Sequence, residues 1–145
     1  MPREISNLQT NRIEIKGYLS EIELSEIYKK VKISVIPLRY GAGVKGKTIE
    51  ALNNGLPIVT TQFGIEGLPG NFDFIDSFND EISFANEIVA LYTNEKRLTQ
   101  MSNDGVNYIN KYFTMESAGE SIKEVLGIVD SLTTREVFEK AKYAM

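Results

Sequence analysis

The sequence predicts an α/β fold, a partial parallel sheet of about four strands followed by C-terminal helices. Two observations predict it. Short β-branched runs alternate with amphipathic stretches through the first half, which is the order of βα units. From Asp80 onward the apolar spacing becomes helical and stays so. The 145 residues, 42% hydrophobic and 25% charged, suffice for one buried core, and no repeat or long linker divides them.

Taken in order, Arg12–Lys16 reads as a strand ending at Gly17. Ser20 and Glu23 form a capping-box pattern that opens a helix packing Ile22, Ile27 and Tyr28. Lys32–Ile36 is the second strand, stopped by Pro37. A glycine-rich loop follows and leads into a helix over about Lys47–Asn54, with Ile49 and Leu52 as its apolar face. Gly55 suits the left-handed position after a helix, and Pro57 blocks continuation. Ile58–Thr60 is the third strand and Phe72–Ile75 a weaker fourth. One helix then presents Phe84, Ile88, Leu91 and Tyr92, and the next Leu98, Met101, Ile109 and Tyr112. A third, after Thr114, presents Ala118, Ile122, Val125, Val129 and Leu132, and Arg135–Met145 reads as one more short helix.

Composition excludes several chemistries. The chain has neither Cys nor His, which removes thiol nucleophiles, Ser-His-Asp triads and the usual zinc sites. No metal site is expected. A net charge of −4 without a basic run argues against nucleic acid. No stretch approaches the roughly 20 apolar residues of a membrane span, and Met1–Glu4 lacks the apolar core of a signal peptide. A cytoplasmic location is the default expectation.

The informative residues lie between Pro37 and Gly67. Gly41, Gly43 and Gly46, with Ala42 and Val44 between them, sit between a strand and a helix start, where backbone can approach a ligand closely. Helix N-termini favour anions, typically phosphate, and Lys45 and Lys47 add two cations. Glu50 lies one turn into the helix, and helical side chains lean toward the N-terminus. Its carboxylate is therefore placed to accept hydroxyl hydrogen bonds beside the phosphate, which suggests a nucleotide. The plainer account is a glycine-rich turn with solvated lysines and a Glu50–Lys47 surface pair. Gly41–Thr48 also fits the phosphate-loop pattern G-x-x-x-x-G-K-[ST] of nucleoside triphosphatases. In that fold the strand runs almost directly into the first glycine, whereas Pro37, Leu38, Arg39 and Tyr40 intervene here. Asp76 is the one candidate for the partner acidic residue.

A longer similarity runs through Pro37–Leu52, then Gly55–Thr61, then Gly64, Glu66 and Gly67. Over these residues the chain resembles the group 1 (family four) glycosyltransferases, and more weakly over Arg12–Pro37 and Phe74–Phe113. Such enzymes are retaining, have the GT-B architecture of two Rossmann-like domains, and use nucleotide-diphosphate sugars without a metal. The resemblance implies that the backbone of Gly41–Gly46 contacts the donor diphosphate and that Glu50 binds the ribose. It implies no cofactor beyond the donor substrate. The family usually carries a second glutamate eight positions before Glu50, touching the transferred sugar; here that position is Ala42. Nothing in the chain matches the family's basic pair, and no catalytic residue is assigned.

The resemblance further implies that residues 1–131 are part of a C-terminal donor-binding domain, with 132–145 a helical tail. On this reading Arg12–Gly17 is the third strand of that domain, and two strands and the acceptor-binding domain are absent. Such a fragment is expected to be inactive alone and to self-associate through sheet edges around Ile13–Lys16 and Ile33–Ile36. Two alternatives stay open, a phosphate-loop nucleotide hydrolase and a non-catalytic assembly domain.

Overall fold

The computed structural model describes residues 3–126. The chain falls into two compact units, residues 1–31 and 32–145. In the first, a one-turn helix α1 (Arg3–Ser6) precedes α2 (Glu21–Tyr28). The expected capping box is present: Glu23 N–H donates to Ser20 Oγ, and the Glu23 carboxylate accepts from Ser20 N–H at 2.9 Å. Hydrogen bonds donated to it by Ser20 N–H, first, and by the Ser20 hydroxyl hold the Glu23 carboxyl below its ordinary value. The expected packing is only partly met. Ile27 and Tyr28 are half-buried, but Ile22 is 79% exposed.

The second unit is built on one βαβ crossover. Strand β1 (Ser34–Ile36) and strand β2 (Ile58–Thr60) pair in parallel, in the register Ser34–Ile58, Val35–Val59 and Ile36–Thr60. Helix α3 (Gly46–Asn53) connects them and turns Thr48, Ala51 and Leu52 inward, while Ile49 is half-buried. Gly55, at φ +69, follows the helix as expected. A short helix α4 (Gln62–Ile65) leaves β2. Then come α5 (Glu81–Tyr92), capped by Asp80, α6 (Glu95–Tyr112), capped by Asn94, and α7 (Met115–Leu126). The hydrogen bond from Ser83 N–H, first among its causes, holds the Asp80 carboxyl below its ordinary value.

Two cores form around the strands. Val59, Leu91 and Met101 are packed by Ile33, Phe74, Phe78, Phe84, Ile88 and Leu98. On another side α6 lies against α3, and this close approach uses Gly105: a Cβ there would stand 3.0 Å from Leu52 Cδ2. Beside it Tyr108 is buried among Phe72, Phe74, Tyr112 and Phe113. Its hydroxyl donates to the Pro69 carbonyl at 2.7 Å. Burial, and secondarily Tyr112, push that phenol up to about 12. The α7 stripe is weaker than its spacing predicts, since Gly119 is buried and Val125 is 85% exposed. Val129, Leu132 and the helix expected over Arg135–Met145 lie outside the described residues, as does the expected tail 132–145.

The expected sheet of about four strands is corrected to two among the described residues. Arg12–Lys16 is not a strand: Arg12 lies in a bend, and several of the backbone donors are taken by nearby side chains. Arg12 and Ile13 N–H donate to Thr10 Oγ1, and Ile15 N–H to Gln9 Oε1. Local side-chain acceptors of this kind compete with a ladder. Phe72–Ile75 closes into a turn, with Ile75 N–H bonded to the Phe72 carbonyl and Asp73 N–H to Asn71 Oδ1. What remains of a further strand is one parallel bridge, Thr60 to Ser77, with Phe78 N–H donating to the Thr60 carbonyl.

Candidate functional site

Strand β1 ends at Ile36, and the segment Pro37–Lys45 carries the chain from its carboxyl end to the start of α3. In parallel α/β sheets that end is where ligands sit. The segment is anchored from just beyond β2: Thr61 Oγ1 donates to the Leu38 carbonyl at 2.6 Å. Gly41 and Gly43 both have positive φ, +136 and +70, a path that L side chains rarely follow. Gly41, Ala42, Gly43 and Val44 are exposed, as are Gly46 and Lys47, so the loop opens to solvent rather than lying under other helices.

Gly46 is the first residue of α3. Its φ is not positive, and beyond its chain neighbours and its own helix backbone a Cβ there would meet no described atom within 4 Å. Nothing inside the chain therefore requires glycine, and the open space lies at the N–H end of a helix. The N-cap, Lys45, gives no side-chain cap, and among the described residues no acceptor is bonded to the N–H groups of Gly46 or Lys47. These are the unpaired donors that anions occupy at helix starts.

The two lysines are placed differently. Lys47 is exposed, with no ion-pair partner among the described residues. The Lys45 side chain is only 11% exposed; its ammonium donates to the Gly43 carbonyl and lies 3.8 Å from Glu66. Glu50 is exposed one turn along α3, and no Glu50–Lys47 pair forms among the described residues. The plainer account of the carboxylate as a surface pair thus loses its partner.

The wall behind the loop is the turn Gly64–Gly67, which spacing alone did not single out as part of the site. Thr48 is fully buried, and its hydroxyl donates to the Gly64 carbonyl at 2.7 Å. That bond argues against the phosphate-loop alternative, in which the hydroxyl at this position is a Mg²⁺ ligand. Gly67, at φ +79, packs so closely that a Cβ would stand 2.9 Å from Val44 N. The signal available in the sequence was the pair of glycines around Glu66, four and seven residues beyond Thr60. Nearby, at the carboxyl ends of both strands, Pro37, Arg39, Gln62, Phe63, Asn79 and Glu81 help line a cavity of about 520 Å³.

Residues 1–94 match the family described as glycosyl transferases, group 1. A relative, an uncharacterized 44.6 kDa protein in the cps region of Klebsiella pneumoniae, is 28% identical over 123 residues. That alignment covers 84% of this chain and 32% of the relative, so the chain spans about a third of its length. No solved structure matches significantly. No described helix is long and apolar enough to cross a membrane. The family match takes in β1, the glycine loop, α3, β2 and the Gly64–Gly67 turn, and on it the chain belongs to the group 1 glycosyltransferases.

Proposed function

We propose that the chain supplies the donor side of a sugar transferase that retains anomeric configuration and uses a nucleotide-diphosphate sugar without a metal. The observation that carries this reading is the start of α3, with unpaired N–H groups, space at Gly46, and the exposed Lys47 and Glu50 alongside. The backbone of Gly41, Ala42, Gly43, Val44, Lys45 and Gly46 receives the diphosphate and Lys47 neutralises it. Glu50, an acceptor-only group when ionised, takes the ribose hydroxyls. Ala42 makes no polar side-chain contact with the transferred sugar. The acceptor is held by a domain outside residues 1–131, and these 145 residues alone transfer no sugar.

Calorimetry of the chain with UDP, GDP, ADP and dTDP, with and without EDTA, tests the reading. One diphosphate should bind equally well in EDTA; no binding by any of the four, or binding only with Mg²⁺, overturns it. Self-association belongs to the same proposal, restricted to the β1 edge at Ile33–Ile36, where Val35 is 43% exposed and β1 pairs with β2 alone among the described residues. Light scattering should report a dimer or larger species, and a stable monomer would refute that part. The protein is expected to work in the cytoplasm.

A further inference from the structure

One peptide unit of the loop is gripped from two sides. The Lys45 ammonium takes the Gly43 carbonyl, and the backbone of Gly67 lies against the same peptide, where a Cβ would stand 2.9 Å from Val44 N and 3.1 Å from Gly43 C. A trans peptide is a rigid plane, so holding its carbonyl also fixes its N–H. The Lys45 side chain is only 11% exposed, so its ammonium is partly withdrawn from water and gains from a counter-charge. Among the described residues that charge is Glu66, 3.8 Å away and half-exposed. The turn bearing Glu66 has an anchor besides the ion pair, the Thr48–Gly64 hydrogen bond.

We propose that Glu66 is a positioning residue of the anion-binding loop. It keeps Lys45 folded back on the Gly43 carbonyl, which sets the orientation of the Gly43–Val44 peptide and the course of the loop over the α3 N-terminus. The two lysines then divide the work: Lys45 braces the loop from inside, and Lys47 faces the ligand. The proposal rests on the reading of this loop as a diphosphate site and adds a residue that touches no ligand atom.

The test uses the 145-residue chain as wild type, Glu66→Gln, Lys45→Met and the double variant. Two readouts are followed, amide NMR of the free chain and calorimetric affinity for inorganic pyrophosphate. Glu66→Gln should shift the Gly43–Val44 peptide resonances and lower the Val44 order parameter from about 0.85 toward about 0.6, leaving α6 unchanged. It should weaken pyrophosphate roughly five- to tenfold. In the Lys45→Met background it should change neither readout further. Unaltered Val44 dynamics would overturn the proposal. So would an equal loss of affinity in both backgrounds, or tighter binding, which would make Glu66 a competing anion. A loop that responds to Glu66→Gln in a chain binding no pyrophosphate supports the bracing role and overturns the diphosphate reading, so the two failures stay distinct.

Discussion

Gly46 opens α3 in a helical conformation, with no protein atom near the place a Cβ would occupy. Gly46→Ala should therefore act on folding and binding in opposite directions. Alanine restricts the unfolded chain and fits the native backbone, a gain of about 0.4–1 kcal/mol where no strain opposes it. For a domain of this size that raises the melting temperature by roughly 1–4 °C. In the complex, the methyl crowds the space at the unpaired N–H groups of Gly46 and Lys47. Displacing a diphosphate oxygen from one such charge-assisted bond costs about 1.5–3 kcal/mol, or roughly 10- to 150-fold in affinity. Differential scanning calorimetry and pyrophosphate titration of the same preparation measure both effects. A higher melting temperature with unchanged affinity would refute the claim that this space is kept for a ligand. A lower melting temperature would refute the backbone description itself.

Three further outcomes follow from the same geometry. Glu50→Gln should weaken the bound nucleoside diphosphate by about 1–2 kcal/mol through loss of charge-assisted hydroxyl bonds. It should leave the melting temperature in place, since the side chain is exposed; equal calorimetric affinity for both forms would refute the ribose role. Leu52→Ala removes a fully buried side chain between α3 and α6 and should cost about 2–5 kcal/mol in a denaturant titration. The pH dependence turns on Tyr108, whose folded-state pKa is raised to about 12 while an unfolded tyrosine ionises near about 10. Between those values the unfolded chain holds fewer protons, so stability is fully present below about pH 10 and falls as pH rises toward about 12. In Tyr108→Phe that alkaline loss should shrink, while stability at neutral pH drops with the bond to the Pro69 carbonyl; unchanged alkaline unfolding would refute the assignment.

The sequence by itself determined whatever depends on near neighbours. Ser20 and Glu23 are three residues apart, and their capping box needs nothing beyond α2. The left-handed turn at Gly55, the extent of β2 and the inward faces of α5 and α6, apart from Tyr92, which is 54% exposed, were legible for the same reason, since local dihedrals and one strip of apolar residues carry them. The glycine loop before α3 and the exposed position of Glu50 were also readable from order and spacing. Strand count was not. Ladder bonds need a partner far along the chain, and Thr10 and Gln9 took the donors of Arg12, Ile13 and Ile15 while Phe72 and Asn71 folded their own segment into a turn. Nor could spacing tell Lys45 from Lys47. Only the tertiary structure, by bringing Gly64–Gly67 against the loop, decides that one lysine side chain is largely covered beside Glu66 and the other stands in solvent, because burial and counter-charge belong to residues some twenty positions away.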